Sequence, residues 1–173
     1  MASGLSNVAG GGAGVAGNPR ALAVAPNGNI FVVGDFDRIN SSSTAASAVA
    51  EWDGASFRSL KEPGSACAGI SVTGTTAFYD CAFDRLGRLH IGGCFNGKKA
   101  GSVVTASSIA IWDKTASRWS TPASTGASTF VIEVEAGTDG YMYYGGWFTS
   151  IGASSYSYIA RYDPGTDTFS PSS

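Results

Sequence analysis

Short apolar runs alternate along the chain with clusters of Gly, Ser, Thr, Asn and Asp. Runs such as Ile30-Phe-Val-Val and Leu89-His-Ile are apolar at successive positions, which is typical of β-strands covered on both faces. Turn-forming pairs precede these strands, and their glycines tolerate a positive φ: Asn27-Gly28, Leu86-Gly87 and Asp139-Gly140. No stretch sustains the periodicity of an amphipathic helix, so the pattern predicts an all-β protein.

The chain contains three copies of one longer pattern. In each copy the turn glycine is followed six residues later by a second glycine, and two residues after that by Phe. A Ser-, Thr- and Ala-rich stretch comes next, and then an aromatic residue directly before Asp. The shared positions are Gly34, Phe36 and Trp52 in the first copy, Gly93, Phe95 and Trp112 in the second, and Gly146, Phe148 and Tyr162 in the third. Each copy is predicted to form four short antiparallel strands.

The repeated pattern resembles the kelch motif, with its Gly-Gly after an apolar strand, an aromatic residue before Asp and a downstream aromatic residue. It is most similar to the kelch-related repeats of fungal cortical polarity markers and bacterial surface proteins. The resemblance covers roughly residues 19–173 and departs from the motif at Val33, where the first glycine of the pair is expected. It implies that each copy is one blade of a β-propeller: 19–60, 61–122 with its leading linker, and 123–173.

Three blades are too few to form a ring, because closed propellers have about 4–8 blades. The two end blades would each leave an apolar face in water, and such faces normally mark an interface. We therefore expect a homodimer that closes a six-bladed ring, or docking on a neighbouring protein; a longer array of which this chain is one stretch is the rival. The Gly-rich segment 1–18 is either a closing strand or a flexible leader.

Composition and charge narrow the function classes. Only 14% of residues are charged and the net charge is −2, which offers no footprint for nucleic acid or an anionic membrane. No apolar run is long enough for a membrane helix, and the first residues lack the pattern of a signal peptide. The weakly charged, Ser-, Thr- and Gly-rich surface slightly favours an extracellular or surface location, which otherwise stays open.

Little in the sequence indicates chemistry. His90 is the single histidine and lies in a predicted central strand, which favours a structural role over catalysis. Cys67, Cys81 and Cys94 match no zinc signature; we expect mostly buried free thiols, with a Cys67–Cys81 disulfide as the alternative. Asp residues at the repeated hairpins are expected to bind backbone amides. We predict no enzyme, no cofactor and no metal site.

The sequence favours a binding site over a catalytic one. The residue after the second glycine differs between the copies, and variable positions on a repeated scaffold are where binding sites arise. The candidates are Trp147, Tyr156 and Tyr158, whose rings could stack on a sugar, and Asp35, Arg38 and Asn40, which could supply hydrogen bonds. Alternatively, Trp147 packs between blades and the tyrosines cover the core. The leading hypothesis is a structural or protein-interaction module, and the runner-up is a propeller lectin.

Overall fold

A computed structural model describes residues 14–40, 44–63, 65, 69–72, 77–98, 105–122 and 125–171. These residues form strands and turns only. Since they contain no helix, they also contain no apolar helix long enough to cross a bilayer.

The first sheet contains β1 (Val15–Val24), β2 (Ile30–Ile39), β3 (Thr44–Ala45), β4 (Val49–Trp52) and β5 (Phe57–Ser59). Its main strands follow the order β1-β2-β4-β5, all antiparallel, and the short β3 pairs with the end of β2. Residues 15–18, which the sequence assigns to the N-terminal segment, lie within β1. The closing-strand prediction concerns mostly residues 1–13, which lie outside the described residues.

The second sheet contains β6 (Ser71–Val72), β7 (Ala77–Phe83), β8 (Leu89–Lys98), β9 (Thr105–Asp113) and β10 (Arg118–Ser120). The main strands again form an antiparallel meander, in the order β7-β8-β9-β10. The short β6 pairs with the far end of β8.

The third sheet repeats the meander in the order β11-β12-β15-β16, and a separate hairpin joins β13 to β14. The bounds are β11 (Val131–Ala136), β12 (Met142–Gly146), β13 (Ser150–Ile151), β14 (Ser154–Ser155), β15 (Ile159–Asp163) and β16 (Thr168–Ser170). The prediction of an all-β chain with four-stranded antiparallel sheets is confirmed.

The three sheets stack in chain order through their first strands. Strand β7 lies against β1 and β2, and β11 lies against β7 and β8. One core cluster joins the first and second sheets and includes Phe31, Val33, Phe78 and Cys81. A second cluster joins the second and third sheets and includes Ile109, Ile111, Val131, Val134 and Tyr144. Each contact between sheets is therefore made largely of apolar side chains.

The second glycine of each copy lies in close contact with the backbone at the start of the preceding strand. A Cβ atom added at Gly34, Gly93 or Gly146 would lie less than 3.0 Å from the carbonyl oxygen of Asn18, Ala77 or Phe130, respectively. These three carbonyls occupy the same position in their copies, ten residues before the turn glycine. The repeated glycine therefore serves a close backbone approach rather than a turn.

The first strand of every sheet also carries a β-bulge at an aligned position. The register shifts across Arg20 in β1, Tyr79 in β7 and Ile132 in β11. Their side chains are exposed in all three sheets, including the central one. This position is therefore not covered when another sheet packs alongside.

Replacing Gly146 with Ala should destabilise the fold by about 1–3 kcal/mol, because the new Cβ would collide with the Phe130 carbonyl. The matched control is Gly145→Ala, whose Cβ would meet only the Glu133 Cβ, at 3.5 Å. Denaturant unfolding at low protein concentration measures both. Equal effects of the two substitutions would contradict the close approach at Gly146.

Candidate functional site

The structure divides the predicted ligand-binding residues of the third sheet. Trp147 and Tyr158 are exposed, and the Trp147 ring lies 5.6 Å from that of Phe130. Tyr156 instead packs against the core, where its hydroxyl donates to the Phe169 carbonyl at 3.0 Å. Two of the three predicted aromatic residues are thus accessible.

The predicted residues of the first sheet are largely engaged within the protein. Asp35 forms an ion pair with Arg20, at 2.7 Å between carboxylate and guanidinium. The Asn40 side-chain amide donates to the Phe57 carbonyl at 2.8 Å, and Asn40 itself has a positive φ of 53°. Arg38 is exposed near the end of β2. The second sheet lies between this group and the third-sheet aromatics, so the six residues do not form one site.

One open surface lies on β1, and we call its residues Pro19, Leu22 and Val24 the leading face. All three are exposed, and Leu22 has 50% of its surface accessible. The residues aligned with Leu22, six positions before the turn glycine, are Cys81 and Val134, which are 5% and 1% exposed. Those two are buried because a preceding sheet covers them. Among the described residues, no sheet covers Leu22 in the same way.

The opposite surface lies on the third sheet, and we call its residues Trp147, Tyr158 and Ile159 the trailing face. Ile159 is 49% exposed, whereas the aligned Val49 and Ile109 are fully buried by the following sheet. Tyr158 is exposed, although the aligned residues Ala48 and Ser108 are buried. The leading and trailing faces are therefore the two halves of a contact that the chain already makes twice internally.

The conformation at Tyr158 places this residue at the edge of the trailing face. Its φ is 69°, matching 66° at Ala48 and 60° at Ser108, which directly precede the aligned residues Val49 and Ile109 as Tyr158 precedes Ile159. In the third sheet the Gly146 N–H donates to the Tyr158 carbonyl at 2.9 Å, as the Gly34 N–H does to Ala48 at 3.0 Å. This left-handed conformation is uncommon for residues other than glycine, so the sequence does not show it.

Besides these faces, a buried polar network surrounds the single histidine at the contact between the second and third sheets. His90 is fully buried, and its Nε2 lies 2.9 Å from Oδ2 of Asp84 while its Nδ1 contacts the hydroxyl of Tyr144. Arg88 also donates to the Asp84 carboxylate, at 2.8 Å, and reaches the Pro164 carbonyl at 2.9 Å. The network therefore joins two sheets through paired polar groups.

The charges in this network follow from burial and hydrogen bonding. Burial by itself would raise the pKa of Asp84, but hydrogen bonds from His90 and Arg88 lower it to about 2. Burial lowers the pKa of His90, against the opposing effect of the Asp84 carboxylate, and burial also raises that of Tyr144. His90 is thus neutral: Nε2 donates to the carboxylate and Nδ1 accepts from Tyr144. Because His90 and Tyr144 are fully buried, neither reaches a dissolved substrate.

The remaining polar candidates have structural roles. The carboxylates of Asp53, Asp113 and Asp163 accept hydrogen bonds from backbone amides in their hairpins, at 2.8–3.0 Å. Cys81 is a buried free thiol whose pKa is raised to about 12 by burial, and Cys94 is a half-buried free thiol. Cys67 lies outside the described residues. No group of three or more metal-ligating side chains occurs in the part of the chain that the structure describes.

A scan of the chain against protein-family models finds no match, and a search of the curated proteins finds none either. The geometry of the described residues is therefore what indicates a function. Two features of this geometry stand out: the leading and trailing faces, and the buried polar network around His90.

The free energy of unfolding should decrease as the pH falls below about 6.5, the ordinary pKa of histidine. The unfolded chain then binds a proton at His90 that the folded protein does not accept, because burial lowers the pKa of His90. A further decrease is expected below about pH 4, as the pH approaches the Asp84 pKa of about 2. Urea unfolding measured from pH 8 to pH 3 tests both steps.

Replacing His90 with Phe, the residue at the aligned position 31, isolates the contribution of His90. Stability at pH 7 should fall by about 1–3 kcal/mol, since the Tyr144 hydroxyl and the Asp84 carboxylate each lose a partner. The decrease between pH 6.5 and pH 4.5 should become smaller. The double variant with Tyr144→Phe should recover part of the loss; an unchanged pH profile in His90→Phe would show that His90 is not the titrating group.

Proposed function

We propose that the protein is a non-enzymatic interaction module, built of kelch-like propeller blades, that associates with copies of itself through the leading and trailing faces. The observation that carries this proposal is the exposure of Leu22, at a position where the other two sheets bury Cys81 and Val134. A position that is apolar in all three copies but exposed in one is expected when a partner supplies the missing cover.

The energy of covering these faces supports association. Moving a Leu or Ile side chain from water into a packed interior contributes about 1.5–3 kcal/mol. Leu22 and Ile159 are each about half exposed, and Trp147 and Tyr158 add large aromatic surface. Trp and Tyr are enriched among the residues that contribute most to protein interfaces. Covering the two faces would therefore contribute favourably to association.

The stacking of the sheets supports a ring. Their first strands lie side by side, as expected when blades surround an axis. Two copies, each placing its trailing face on the leading face of the other, would complete six blades with two-fold symmetry and leave no open face. The kelch-like repeat of glycines and aromatic residues is consistent with this arrangement.

Within the described residues, the histidine, the buried thiol and the repeated carboxylates are already engaged in the fold, which supports a role without catalysis. His90, the one histidine, is sealed between two sheets, and Cys81 is a buried thiol with a raised pKa. The repeated Asp residues are occupied by backbone amides. Each of these groups already serves the fold.

The substitutions Leu22→Asp and Ile159→Asp should each convert an assembled protein into a monomer, because a charge would be buried in the contact. The matched control is Ile132→Asp, at the bulge position that stays exposed in the central sheet as Tyr79. Light scattering after size-exclusion chromatography measures the mass, and circular dichroism checks folding. A well-folded wild-type chain that remains monomeric at all concentrations would contradict the proposal.

The exposed Trp147 favours a lectin as the second candidate, since a flat ring can stack on a sugar. The two candidates differ in what Trp147→Ala changes. For the interaction module, glycan arrays remain blank and the substitution weakens self-association. Saturable sugar binding that is lost in Trp147→Ala, with an unchanged mass in solution, would support the lectin instead.

A further inference from the structure

We propose that two copies join head to tail in a fixed register, with Leu22 of one copy seated on Gly145 of the other. In the same register, the Val15 N–H of the first copy donates a hydrogen bond to the Ser157 carbonyl of the second. This inference rests on the self-association proposed above and specifies its geometry.

The sizes of facing residues support the pairing of Leu22 with Gly145. Where the first sheet meets the second, Val33 shares a core cluster with Cys81. Where the second meets the third, a Cβ added at Gly92 would lie 2.7 Å from a methyl group of Val134 and 2.7 Å from one of Val131. Glycine thus faces valine at the second contact, and the aligned pair at the first contact combines a valine with the smaller cysteine in one core cluster.

The open faces continue this series. Gly145 is aligned with Val33 and Gly92, directly before the second glycine, and Leu22 is aligned with Cys81 and Val134. Leu22 has more apolar atoms than Cys81 or Val134. In the proposed pairing it faces Gly145, which has no side chain. A Cβ added at Gly145 would meet only the Glu133 Cβ, at 3.5 Å, which is an ordinary contact. The packing within a single chain therefore does not require glycine at this position. The complementary sizes identify a second copy of this chain as the occupant.

The backbone provides an independent indication. At the first internal contact, Ser47 and Gly69 form a parallel bridge, and the Ile70 N–H donates to the Ser47 carbonyl at 3.1 Å. At the second, Ser107 and Gly126 form the same bridge, and the Ala127 N–H donates to Ser107 at 2.8 Å. Each contact between sheets thus includes a main-chain hydrogen bond to the carbonyl of the aligned serine, Ser47 or Ser107.

The leading face carries the donor half of such a bridge. The Gly14 carbonyl accepts the Asn40 N–H at 2.9 Å, as the Gly126 carbonyl accepts the Gly152 N–H at 2.9 Å. Gly14 and Val15 are therefore the counterparts of Gly126 and Ala127. In the antiparallel pairing of Val15 with Ile39, the Val15 N–H points away from β2, to the side on which the Ala127 N–H bonds to the Ser107 carbonyl. Val15 is only 1% exposed in the single chain, so a second copy must displace the groups that cover it.

The trailing face carries the acceptor half. Ser157 is aligned with Ser47 and Ser107: it lies two residues before Ile159, as they lie two residues before Val49 and Ile109. Its carbonyl accepts the N–H of the neighbouring Ile159, at 2.9 Å, and among the described residues it has no bridge to a further sheet. Because a carbonyl oxygen has two lone pairs, it can also accept the Val15 N–H of a second copy.

The glycine at position 14 agrees with this register. A Cβ added at Gly69 or Gly126 would lie less than 3.0 Å from the carbonyl oxygen of the bridging serine. At Gly14 the same addition meets nothing within 4 Å in the single chain. A side chain at position 14 is therefore compatible with the isolated fold but incompatible with the bridge.

The test is a pair of compensating substitutions. Gly145→Val should weaken self-association by about 10- to 100-fold, because the valine would occupy the place of Leu22. Adding Leu22→Cys to the same chain recreates the Val33–Cys81 pair and should restore most of the association. Sedimentation velocity over a range of concentrations measures the dissociation constants, with reducing agent present and circular dichroism as the check on folding.

A second variant tests the bridge without altering the packing of the apolar faces. Gly14→Val should leave the unfolding transition of the monomer unchanged and weaken association, while the matched Gly126→Val should destabilise the fold itself. If Leu22→Asp and Ile159→Asp abolish assembly but Gly145→Val and Gly14→Val do not, the register is wrong and self-association stands. A monomeric wild type would overturn both.

Discussion

The need to cover both faces of every four-stranded sheet governs this structure. A cluster around Val32, Phe36 and Ile39 is buried within the first sheet itself, and the other two core clusters form where one sheet packs against the next. The chain meets this requirement at two contacts, around Phe78 and Cys81 and around Val131 and Val134. It leaves the requirement unmet at its two ends, where Leu22 and Ile159 are half exposed. The function that we propose follows from this imbalance between covered and uncovered faces.

Close packing of sheets also explains which residues repeat. The second glycine of each copy admits a carbonyl of the preceding strand, and Gly69 and Gly126 admit a serine carbonyl of the preceding sheet. Glycine at these places allows two backbones to approach within hydrogen-bonding distance. Gly14 has the same place in the pattern but no such neighbour, which is why the register of a further contact can be inferred from one chain.

Much of the fold could be predicted from the sequence because its signals are local. The turn glycines, the apolar strands and the hairpin aspartates each depend on a few consecutive residues, and they indicate four strands per copy. The left-handed conformation of Tyr158 has no such signal, because glycine is absent there and the surrounding sheet imposes it. The partners of His90 come from the start of the same hairpin and from the next sheet, so composition alone could not show that Asp84 and Tyr144 would meet it. Leu22 could have been singled out by aligning it with Cys81 and Val134, since the spacing to the turn glycine is constant.

The polar network around His90 helps to specify the order in which the three sheets pack. Apolar packing alone would not distinguish one order from another. The two internal contacts share their backbone pattern, so the sheets could in principle pack in more than one order. The acceptor of His90, Asp84, lies in its own hairpin, but the hydroxyl that donates to Nδ1 is present only on the third sheet, as Tyr144; the residue of the first sheet aligned with Tyr144 is Val32. Placing His90 against Val32 would bury an imidazole nitrogen without a partner, at a cost of about 1–3 kcal/mol. On the third sheet the residue aligned with His90 is Tyr143, whose hydroxyl donates to Asp139 on the chain's own turn. Because this hydroxyl is already paired, a further sheet can pack against Tyr143 without leaving a buried polar group unpaired, which favours joining ends over exchanging internal sheets.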